Sequence, residues 1–217
     1  MTARPIDPDL ATGAKRVLPS GAPRPRYDID TLLGVAVRVF TERGYDGTSM
    51  EDISRASGLS KSSLYHHIQS KQQLLRLALE RAVGPLYAVV EEPGATTGPA
   101  VDRLAHVIRR EVHVLAEQLP YVTLLLRVRG NTETEAWALE QRRAFDSVVA
   151  SLVQRAIDEG ELRSDIDAKT TARLVFGMIN SLVEWYRPGR RDGDVDELAD
   201  RVVQLAFDGL RTSAHDM

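Results

Sequence analysis

The chain has 217 residues and a mass of 24.0 kDa, a length that allows one large domain or a small domain joined to a medium one. Its 43% hydrophobic and 27% charged residues are typical of a folded globular protein and exclude a disordered chain. The chain contains no cysteine, which excludes disulfides, thiolate metal sites and cysteine nucleophiles.

Net charge is unevenly distributed along the chain. Residues 1–27 carry a net charge of +3, residues 28–80 carry −1 and residues 81–217 carry −5. Because polyanions bind to cationic surface, a nucleic-acid contact is expected only in the first third of the chain. Apolar runs such as residues 174–183 are about half of the roughly 20 residues that a membrane helix needs. The first 26 residues lack the apolar core of a secretory signal, so we expect a cytoplasmic protein.

The first predicted elements are an arm and a helix. Residues 1–27 are rich in Pro, Gly, Ala and Arg and have no apolar period, which predicts a disordered basic arm. Apolar residues then recur at helical spacing, which predicts a helix from about Asp30 to Arg43. Gly44 is expected to end this helix, because glycine tolerates the left-handed conformation at a helix C-terminus.

A short second helix is predicted from its end signals. Thr48 and Glu51 have the spacing of a capping box, in which two side chains bond to free backbone amides at the helix start. Ile53 and Ala56 are expected to face inward. Gly58 is expected to end the helix.

Two further helices follow closely. Ser60 is expected to cap a very short third helix, and Ser70 with Gln73 is expected to form a capping box at the start of a fourth. Gly84 and Pro85 interrupt the apolar pattern of the fourth helix, and proline removes a backbone donor. We expect a kink or a break there.

The rest of the chain is also predicted to be helical. Residues 92–99 have the composition of a loop, and further helices are predicted over residues 100–118, 120–129, 132–159, 168–186 and 194–211. No segment has the alternation of a strand or the turn of a hairpin. The predicted fold class is all-α, with a three-helix helix-turn-helix domain at residues 28–80 and a larger helical domain at residues 81–217.

The segment from Phe40 to Leu79 carries the most informative pattern. A helix of about nine residues, a turn at Gly58 and a short helix at Ser60 to His66 have the dimensions of a helix-turn-helix. Small serine side chains let the second of these helices approach the major groove closely. Hydroxyls, cations and helix starts bind phosphate oxygens. Ser60, Lys61, Ser62 and Ser63 are candidate contacts to base edges or phosphates, and Thr48, Tyr65, His66 and Lys71 are candidate phosphate contacts.

This segment resembles a known family. The run ERGYDGTSMEDISRASGLSKSSLYHHIQSKQQLL is similar to the amino-terminal domain of tetracycline-repressor-like (TetR family) transcriptional regulators. Ser54 and Ile68 stand where that family usually has Ala and Phe. The resemblance implies a homodimer whose two recognition helices bind a palindromic DNA operator. It also implies a C-terminal helical domain that dimerises and binds a small-molecule inducer, which releases the DNA.

A shorter resemblance concerns the inducer. Residues 179–191, INSLVEWYRPGRR, are similar to a Trp-Tyr-x-Pro-Gly segment in regulators of fatty-acid, sterol and aromatic-acid breakdown that respond to acyl-CoA thioesters. The similarity favours an acyl-CoA inducer. A drug-like hydrophobic molecule and a free acid stay open as other inducer classes.

Candidate ligand contacts are the aromatic and polar residues on the predicted C-terminal helices, because a pocket needs an apolar lining with a few polar groups. They are Tyr121, Leu125, Trp137, Phe145, Phe176, Asn180 and Trp185. Cations for the phosphates of a CoA thioester are available at Arg109, Arg110, Arg127, Arg129 and Arg187. Apolar stripes on the last two helices predict a four-helix dimer interface across a two-fold axis.

The sequence gives no support to metal binding or catalysis. The adjacent His66 and His67 point about 100° apart on a helix, and His106 and His113 lie two turns apart, so no metal site and no cofactor are expected. Catalytic motifs are absent, so no enzyme activity is expected. A ligand-independent architectural DNA binder stays open beside the ligand-responsive repressor, although the acidic C-terminal part disfavours it. The sequence does not distinguish repression from activation.

Overall fold

The computed structural model describes residues 29–189 and 194–210, and within them it contains eleven helices and no β-strand. The all-α prediction is therefore confirmed for these residues, while the predicted arm at residues 1–27 lies outside them. In chain order the helices are α1 (Ile29–Arg43), α2 (Met50–Ser57), α3 (Lys61–His67), α4 (Lys71–Glu91), α5 (Pro93–Thr96), α6 (Ala100–Glu117), α7 (Leu119–Arg127), α8 (Glu133–Asp158), α9 (Ala168–Asn180), α10 (Leu182–Trp185) and α11 (Val195–Leu210).

The start of α2 corrects one capping prediction. Ser49, not Thr48, is the N-cap: its hydroxyl accepts a hydrogen bond from the Asp52 amide at 3.1 Å, and the Asp52 carboxylate accepts one from the Ser49 amide at 3.0 Å. Thr48 is buried, and its hydroxyl instead donates to the Gly44 carbonyl at 2.7 Å. The capping box exists, but it lies one residue later than Thr48 and Glu51 because the Thr48 side chain is used inside the α1–α2 turn.

Burial along α2 also differs by one residue from the prediction. Ile53 is buried as predicted, whereas Ala56 is exposed and Ser57 is buried. The Ser57 hydroxyl donates to the Ser54 carbonyl and accepts from the Leu59 amide, so its polar atom is paired inside the turn. A short polar side chain can be buried at little cost when its hydrogen bonds are made.

The starts of α3 and α4 agree better with the sequence. Ser60 caps α3 by accepting from the Ser63 amide at 3.2 Å. Ser70 caps α4 in the same way, by accepting from the Gln73 amide at 3.1 Å. The Gln73 side chain, however, accepts from the Gln69 amide and not from the amide of the N-cap, so only half of the predicted capping box forms.

Helix α4 shows that the chain does not break at Gly84-Pro85, while the alternative prediction of a kink there stays a prediction. It is one helix of 21 residues with Pro85 in its interior. Proline inside a helix costs about 3 kcal/mol relative to alanine. Buried residues on both sides of Pro85 offset this cost, since α4 packs against α1 at one end and against α6, α7 and α8 along its length. The predicted boundary at residue 80 therefore lies within a continuous helix.

Two connections differ from the predicted elements. Residues 92–99, predicted as a loop, contain the single-turn helix α5. The helix predicted over residues 168–186 is divided, because α9 ends at Asn180 and α10 begins at Leu182. The Ser181 hydroxyl donates to the Met178 carbonyl at 2.7 Å, a side-chain bond of the kind that competes with regular helix hydrogen bonding.

The C-terminal helices pack around α6. Helix α11 lies against one side of α6 and α8 against another, and α9 packs mainly on α8. Their buried faces join those of α1 to α4 in one continuous hydrophobic core. Among the described helices, none combines the length and the apolar character that crossing a membrane requires.

Candidate functional site

Helix α3 presents a polar face to solvent. Ser60, Lys61, Ser62 and His66 are exposed, Ser63 is half-buried, and Tyr65 is 45% exposed. These predicted DNA contacts therefore lie together on one accessible surface. A short polar helix of this kind fits the width of the DNA major groove.

The opposite face of α3 fixes the helix to the core. Leu64 is fully buried, and Leu59 is half-buried and packs against the same core. Gly58 ends α2 with φ 70°, in the left-handed region that glycine tolerates. The tight turn and the leucine anchors together hold the polar face of α3 outward.

Thr48 and Lys71 have internal roles that the sequence did not indicate. Thr48 is only 3% exposed. The Lys71 ammonium donates hydrogen bonds of 2.8 Å to the carbonyl oxygens of Tyr45 and of Thr48, and its Nζ lies 4.2 Å from the centre of the Tyr45 ring. Both residues therefore hold the α1–α2 turn together, and the buried Thr48 side chain has almost no surface for the predicted phosphate contact.

The histidines form no metal site in the described part of the chain, where no group of three or more His, Asp or Glu side chains is placed to hold an ion. His66 and His67 are exposed on α3. His106 instead bonds to the Glu92 carboxylate at 2.7 Å, and His113 lies 3.1 Å from an Asp196 carboxylate oxygen.

A cavity of about 200 Å³ lies among α4, α6, α7, α8 and α9. Most of its wall is apolar, and charged side chains occupy one part of it. The lining residues include Leu86, Leu115, Val122, Leu125, Leu126, Phe145, Phe176, Ile179 and Asn180 together with the charged Glu111, Arg142, Asp146 and Arg173. An enclosed apolar space with a few polar groups is the usual form of a small-molecule site.

Four of the seven predicted ligand contacts, Leu125, Phe145, Phe176 and Asn180, line this cavity. The other three lie outside it. The Tyr121 ring lies 5.0 Å from the Arg81 guanidinium and the Trp137 ring lies 3.5 Å from that of Arg76, while Trp185 is 49% exposed. Aromatic residue type alone did not distinguish cavity wall from surface contact.

The charged part of the cavity was missed by the sequence analysis. Glu111 is buried on α6, and this burial raises the pKa of its carboxyl well above the ordinary value; Arg110 lowers this pKa and Asp146 raises it further. Asp146 is open to solvent on one side, yet partial burial also raises its pKa against the attraction of Arg142 and Arg173. A signal existed for Glu111, because it lies at helical spacing from buried Ile108 and Leu115 on the apolar stripe of α6.

None of the five arginines predicted as cations lines this cavity. Arg109 pairs with Asp200 and Arg110 with Glu92, and Arg187 donates to the Tyr186 and Glu184 carbonyls. The last two, Arg127 and Arg129, line a second cavity.

The second cavity, of about 740 Å³, lies where α1 and the α1–α2 turn meet the α7–α8 connection. We call it the junction cavity. Leu126 borders both it and the first cavity. Hydrogen bonds cross the same junction: Arg127 donates to the Thr41 carbonyl at 3.1 Å, and Asn131 donates to the Asp46 carboxylate at 3.3 Å. The helix-turn-helix is thus in direct contact with the helices that bound the cavities.

The last two long helices expose apolar side chains. Leu174 on α9 is 63% exposed and Leu205 on α11 is 68% exposed. A shallow apolar depression lies beside them, lined by Val175, Met178 and Leu210 among others. Exposed apolar surface that is grouped on adjacent elements marks an interaction surface.

Comparison with known proteins gives matches in both halves of the chain. Residues 32–78 match the family described as bacterial regulatory proteins, tetR family, and residues 97–210 match the tetracyclin repressor-like C-terminal domain. A crystal structure of a TetR transcriptional regulator from Streptomyces coelicolor A3 is 56% identical to this chain, with a TM-score of 0.79 over 84% of this chain and 92% of that one.

Two more distant proteins are also similar over most of their length. The HTH-type transcriptional repressor KstR2 of Rhodococcus jostii is 26% identical over 182 residues, which are 82% of this chain and 89% of that protein. The crystal structure of AibR in complex with isovaleryl coenzyme A and operator DNA is 26% identical, with a TM-score of 0.69 over 82% of this chain and 97% of that one.

These matches confirm the resemblance that the α2–α3 segment indicates. They cover the DNA-binding helices and the C-terminal helical domain, and they confirm the prediction of a DNA-binding regulator and not an enzyme. The chain belongs to the TetR family of bacterial transcriptional regulators.

Proposed function

We propose that the chain is a homodimeric repressor whose two α3 helices bind a palindromic operator and whose cavities bind an acyl-CoA inducer. The observation that carries the DNA part is the exposed polar face of α3 on a helix anchored by buried Leu64. The contacts come from Ser60, Lys61, Ser62, Ser63, Tyr65 and His66, with the start of α4 at Lys71 close to the backbone. As in other helix-turn-helix dimers, half-sites about 34 to 36 Å apart match two recognition helices on one face of DNA.

Dimerisation through α9 and α11 is supported by the exposed Leu174 and Leu205. Covering such side chains removes apolar surface from water, at roughly 25 cal/mol per Å². A two-fold interface is self-complementary, so the same two helices of each protomer form a four-helix contact. The predicted division at residues 28–80 and 81–217 places this contact wholly in the C-terminal part.

An acyl-CoA inducer is supported by the cavities and by AibR, whose structure holds isovaleryl coenzyme A. The apolar cavity has space for a short acyl group, and Leu126 separates it from the junction cavity. The junction cavity is larger and has Arg127 and Arg129 in its wall, cations suited to the phosphates of the CoA part. On this proposal the acyl group occupies the first cavity, and the CoA phosphates lie among the arginines that line the two cavities, Arg142 and Arg173 in the first and Arg127 and Arg129 in the second.

The position of the junction cavity suggests how a bound ligand releases the DNA. It lies between α1 and α7, the elements through which the helix-turn-helix contacts the C-terminal helices. A ligand that binds there more tightly in one arrangement of the two parts shifts the population toward it. We propose that this arrangement separates the two α3 helices by a distance that no longer matches the half-sites. The cytoplasmic location predicted from the sequence stays a prediction.

The test begins with operator selection from random duplexes, followed by fluorescence anisotropy titration at several salt concentrations. Lys61→Ala is expected to reduce the slope of log affinity against log salt by about 1, because one phosphate contact is lost. Lys169→Ala, which changes an exposed lysine on α9, is the matched control and should leave the slope unchanged. Tyr65→Ala is expected to weaken binding about tenfold while sedimentation still shows a dimer.

The inducer is tested by adding isovaleryl coenzyme A to the wild-type complex with DNA. Release of the operator at a concentration where coenzyme A alone has no effect supports the proposal. If instead drug-like cations release the DNA and acyl thioesters do not, the inducer class is wrong. Equal affinity for all duplexes at fixed salt would identify an architectural binder.

A further inference from the structure

The carboxyl of Glu111 is the least satisfied polar group in the wall of the apolar cavity. The residue is 5% exposed and its Oε1 has no hydrogen-bond partner among the described residues. A buried polar atom without a partner costs roughly 1 to 3 kcal/mol, so such atoms are rare in native proteins and need an explanation. Because Glu111 lines the cavity, a bound molecule is positioned to supply the missing partner.

The charges around Glu111 come from three helices. Arg110 precedes it on α6 and Asp146 acts on it from α8, while Arg142 of α8 and Arg173 of α9 line the same cavity. Helices α4 and α7 contribute only apolar side chains to the cavity wall, Leu86 from α4 and Val122, Leu125 and Leu126 from α7. Arg110, which lowers the pKa of Glu111, is paired with Glu92, whereas burial and the acidic Asp146 raise this pKa, so the balance shifts toward the neutral acid.

The same wall contains two guanidinium groups, those of the half-buried Arg142 and the exposed Arg173, and Arg173 also attracts Asp167. Neither Arg142 nor Arg173 forms a hydrogen bond or an ion pair with another described residue, although both attract Asp146 at longer range. The wall therefore combines a neutral acid, which donates a hydrogen bond, with cations that favour negative charge. This combination suits an acyl compound. The apolar wall contacts the acyl chain, the neutral acid donates to the carbonyl oxygen, and the cations attract a negatively charged group attached to the acyl carbon.

We propose that Glu111 is the specificity-determining residue of the cavity, donating a hydrogen bond to the acyl carbonyl oxygen of a short-chain thioester or carboxylic acid whose negative part faces Arg142 and Arg173. This inference rests on the proposed acyl inducer and adds the group that recognises it. The ligand oxygen then supplies a hydrogen-bond partner for the buried carboxyl of Glu111.

Cavity size sets the length of the acyl chain. A dry cavity of about 150 Å³ holds one benzene ring, so the ~200 Å³ available here corresponds to a chain or ring of about eight non-hydrogen atoms. Short, branched or monocyclic acyl groups fit this space. Long fatty-acyl chains and the steroid ring system exceed it.

Ligand affinity is expected to depend on pH through Glu111. While the acid is neutral it donates to the carbonyl oxygen. When pH rises through its elevated pKa the ionised carboxylate has no proton to donate and repels the acyl oxygen. Affinity therefore falls with rising pH, and a side chain that donates without titrating abolishes the fall.

Isothermal titration calorimetry of the full-length dimer tests this over a series of pH values above the ordinary pKa of glutamate. The probes are isovaleryl coenzyme A, isovalerate, coenzyme A and ethidium, the last as a drug-like cation. Glu111→Leu is expected to weaken isovaleryl-CoA binding at least tenfold, the value of one hydrogen bond. Glu111→Gln, whose amide still donates, should retain affinity within about threefold of the neutral wild type and show no pH dependence.

The control is Glu117→Gln, which changes an exposed glutamate on the same helix and should leave both affinity and pH dependence unchanged. Thermal unfolding verifies that each variant folds. If Glu111→Leu does not fold, the test is whether the ligand affinity of Glu111→Gln is independent of pH. Binding of isovalerate as tight as that of the thioester assigns the cavity to free acids, and binding of the thioester alone assigns it to acyl-CoA; both support the role of Glu111.

Three outcomes would overturn the inference. If the thioester binds to Glu111→Leu as tightly as it binds to the wild type, the role of Glu111 is refuted. The proposal of an acyl-CoA inducer is then unaffected. Tighter binding of ethidium with rising pH shows that the carboxyl receives a cation. A wild-type chain that binds no acyl probe refutes the inducer class, and the role of Glu111 is refuted with it.

Discussion

In α2, α3 and their N-caps the hydroxyls of Ser49, Ser54, Ser57 and Ser60 bond to neighbours at most five residues away in sequence, whereas the first cavity buries a Glu111 oxygen that has no hydrogen-bond partner among the described residues. The first region pairs its hydroxyls locally, and we propose that its outer face binds DNA. The second leaves a polar group unsatisfied inside. Local pairing makes a rigid surface that is ready to bind, while an unpaired buried group makes a site that gains stability when a ligand arrives.

The largest effect is expected from removing the anchor of α3. Leu64→Ala deletes a fully buried side chain, and such truncations cost about 2 to 5 kcal/mol. We expect loss of operator binding with ligand binding retained, because the cavity is built by other helices. Urea unfolding and calorimetry with isovaleryl coenzyme A measure the two effects. Simultaneous loss of ligand binding would show that the two regions do not fold separately.

Two lysines in the helix-turn-helix should behave in opposite ways. Lys71→Met removes two hydrogen bonds from an ammonium to the Tyr45 and Thr48 carbonyls, at a cost of about 1.5 to 3 kcal/mol in unfolding free energy. Lys61→Met changes an exposed side chain, so stability should change by less than about 0.5 kcal/mol while DNA affinity falls. Equal stability of the two variants would refute the internal role of Lys71.

The helix-turn-helix was largely predictable because its signals are local. Gly44, Gly58, Ser60 and Ser70 end or begin helices as expected. The displaced N-cap at Ser49 was not predictable, since Thr48 and Ser49 are adjacent hydroxyl residues and only the three-dimensional turn decides which one bonds to the helix.

The cavity was predictable only in part. The periodicity of α6 places Glu111 on its buried face, and four aromatic, apolar or amide residues were found from residue type. Arg142 and Arg173 lie on helices that separate them by 31 positions in sequence, and no local pattern indicates that both face the same space. The unbroken α4 at Pro85 has a similar cause, because packing on four other helices outweighs a local signal.

The buried carboxyl should make stability depend on pH. Between the ordinary pKa of glutamate and the elevated pKa of folded Glu111, the unfolded chain releases a proton that the folded chain retains, so stability falls as pH rises through this window. Glu111→Gln has no titrating carboxyl at this position and therefore lacks this pH dependence of stability. We expect the variant to gain stability relative to wild type as the pH rises through this window, and to have no such advantage below the ordinary pKa of glutamate.

Thermal unfolding at a series of pH values measures this difference, and Glu117→Gln on the exposed side of α6 is the control. An advantage of Glu111→Gln that is the same at every pH would show that packing, and not ionisation, causes it. Adding isovaleryl coenzyme A should reduce the advantage, because the ligand oxygen satisfies the acid in the wild type.

The smallest effect concerns Trp137, which the sequence placed in the cavity and the structure places beneath Arg76 of α4. A cation above an aromatic face contributes about 0.5 to 1 kcal/mol at an exposed site, and indole binds cations better than phenyl. Trp137→Phe should therefore lower stability by about 0.5 kcal/mol and leave ligand affinity unchanged, whereas Phe145→Leu in the cavity wall should weaken ligand binding. Loss of ligand affinity in Trp137→Phe would mean that the ligand site extends along α8 as far as Trp137, and that the aromatic pattern of the sequence located the ligand more fully than the packing does.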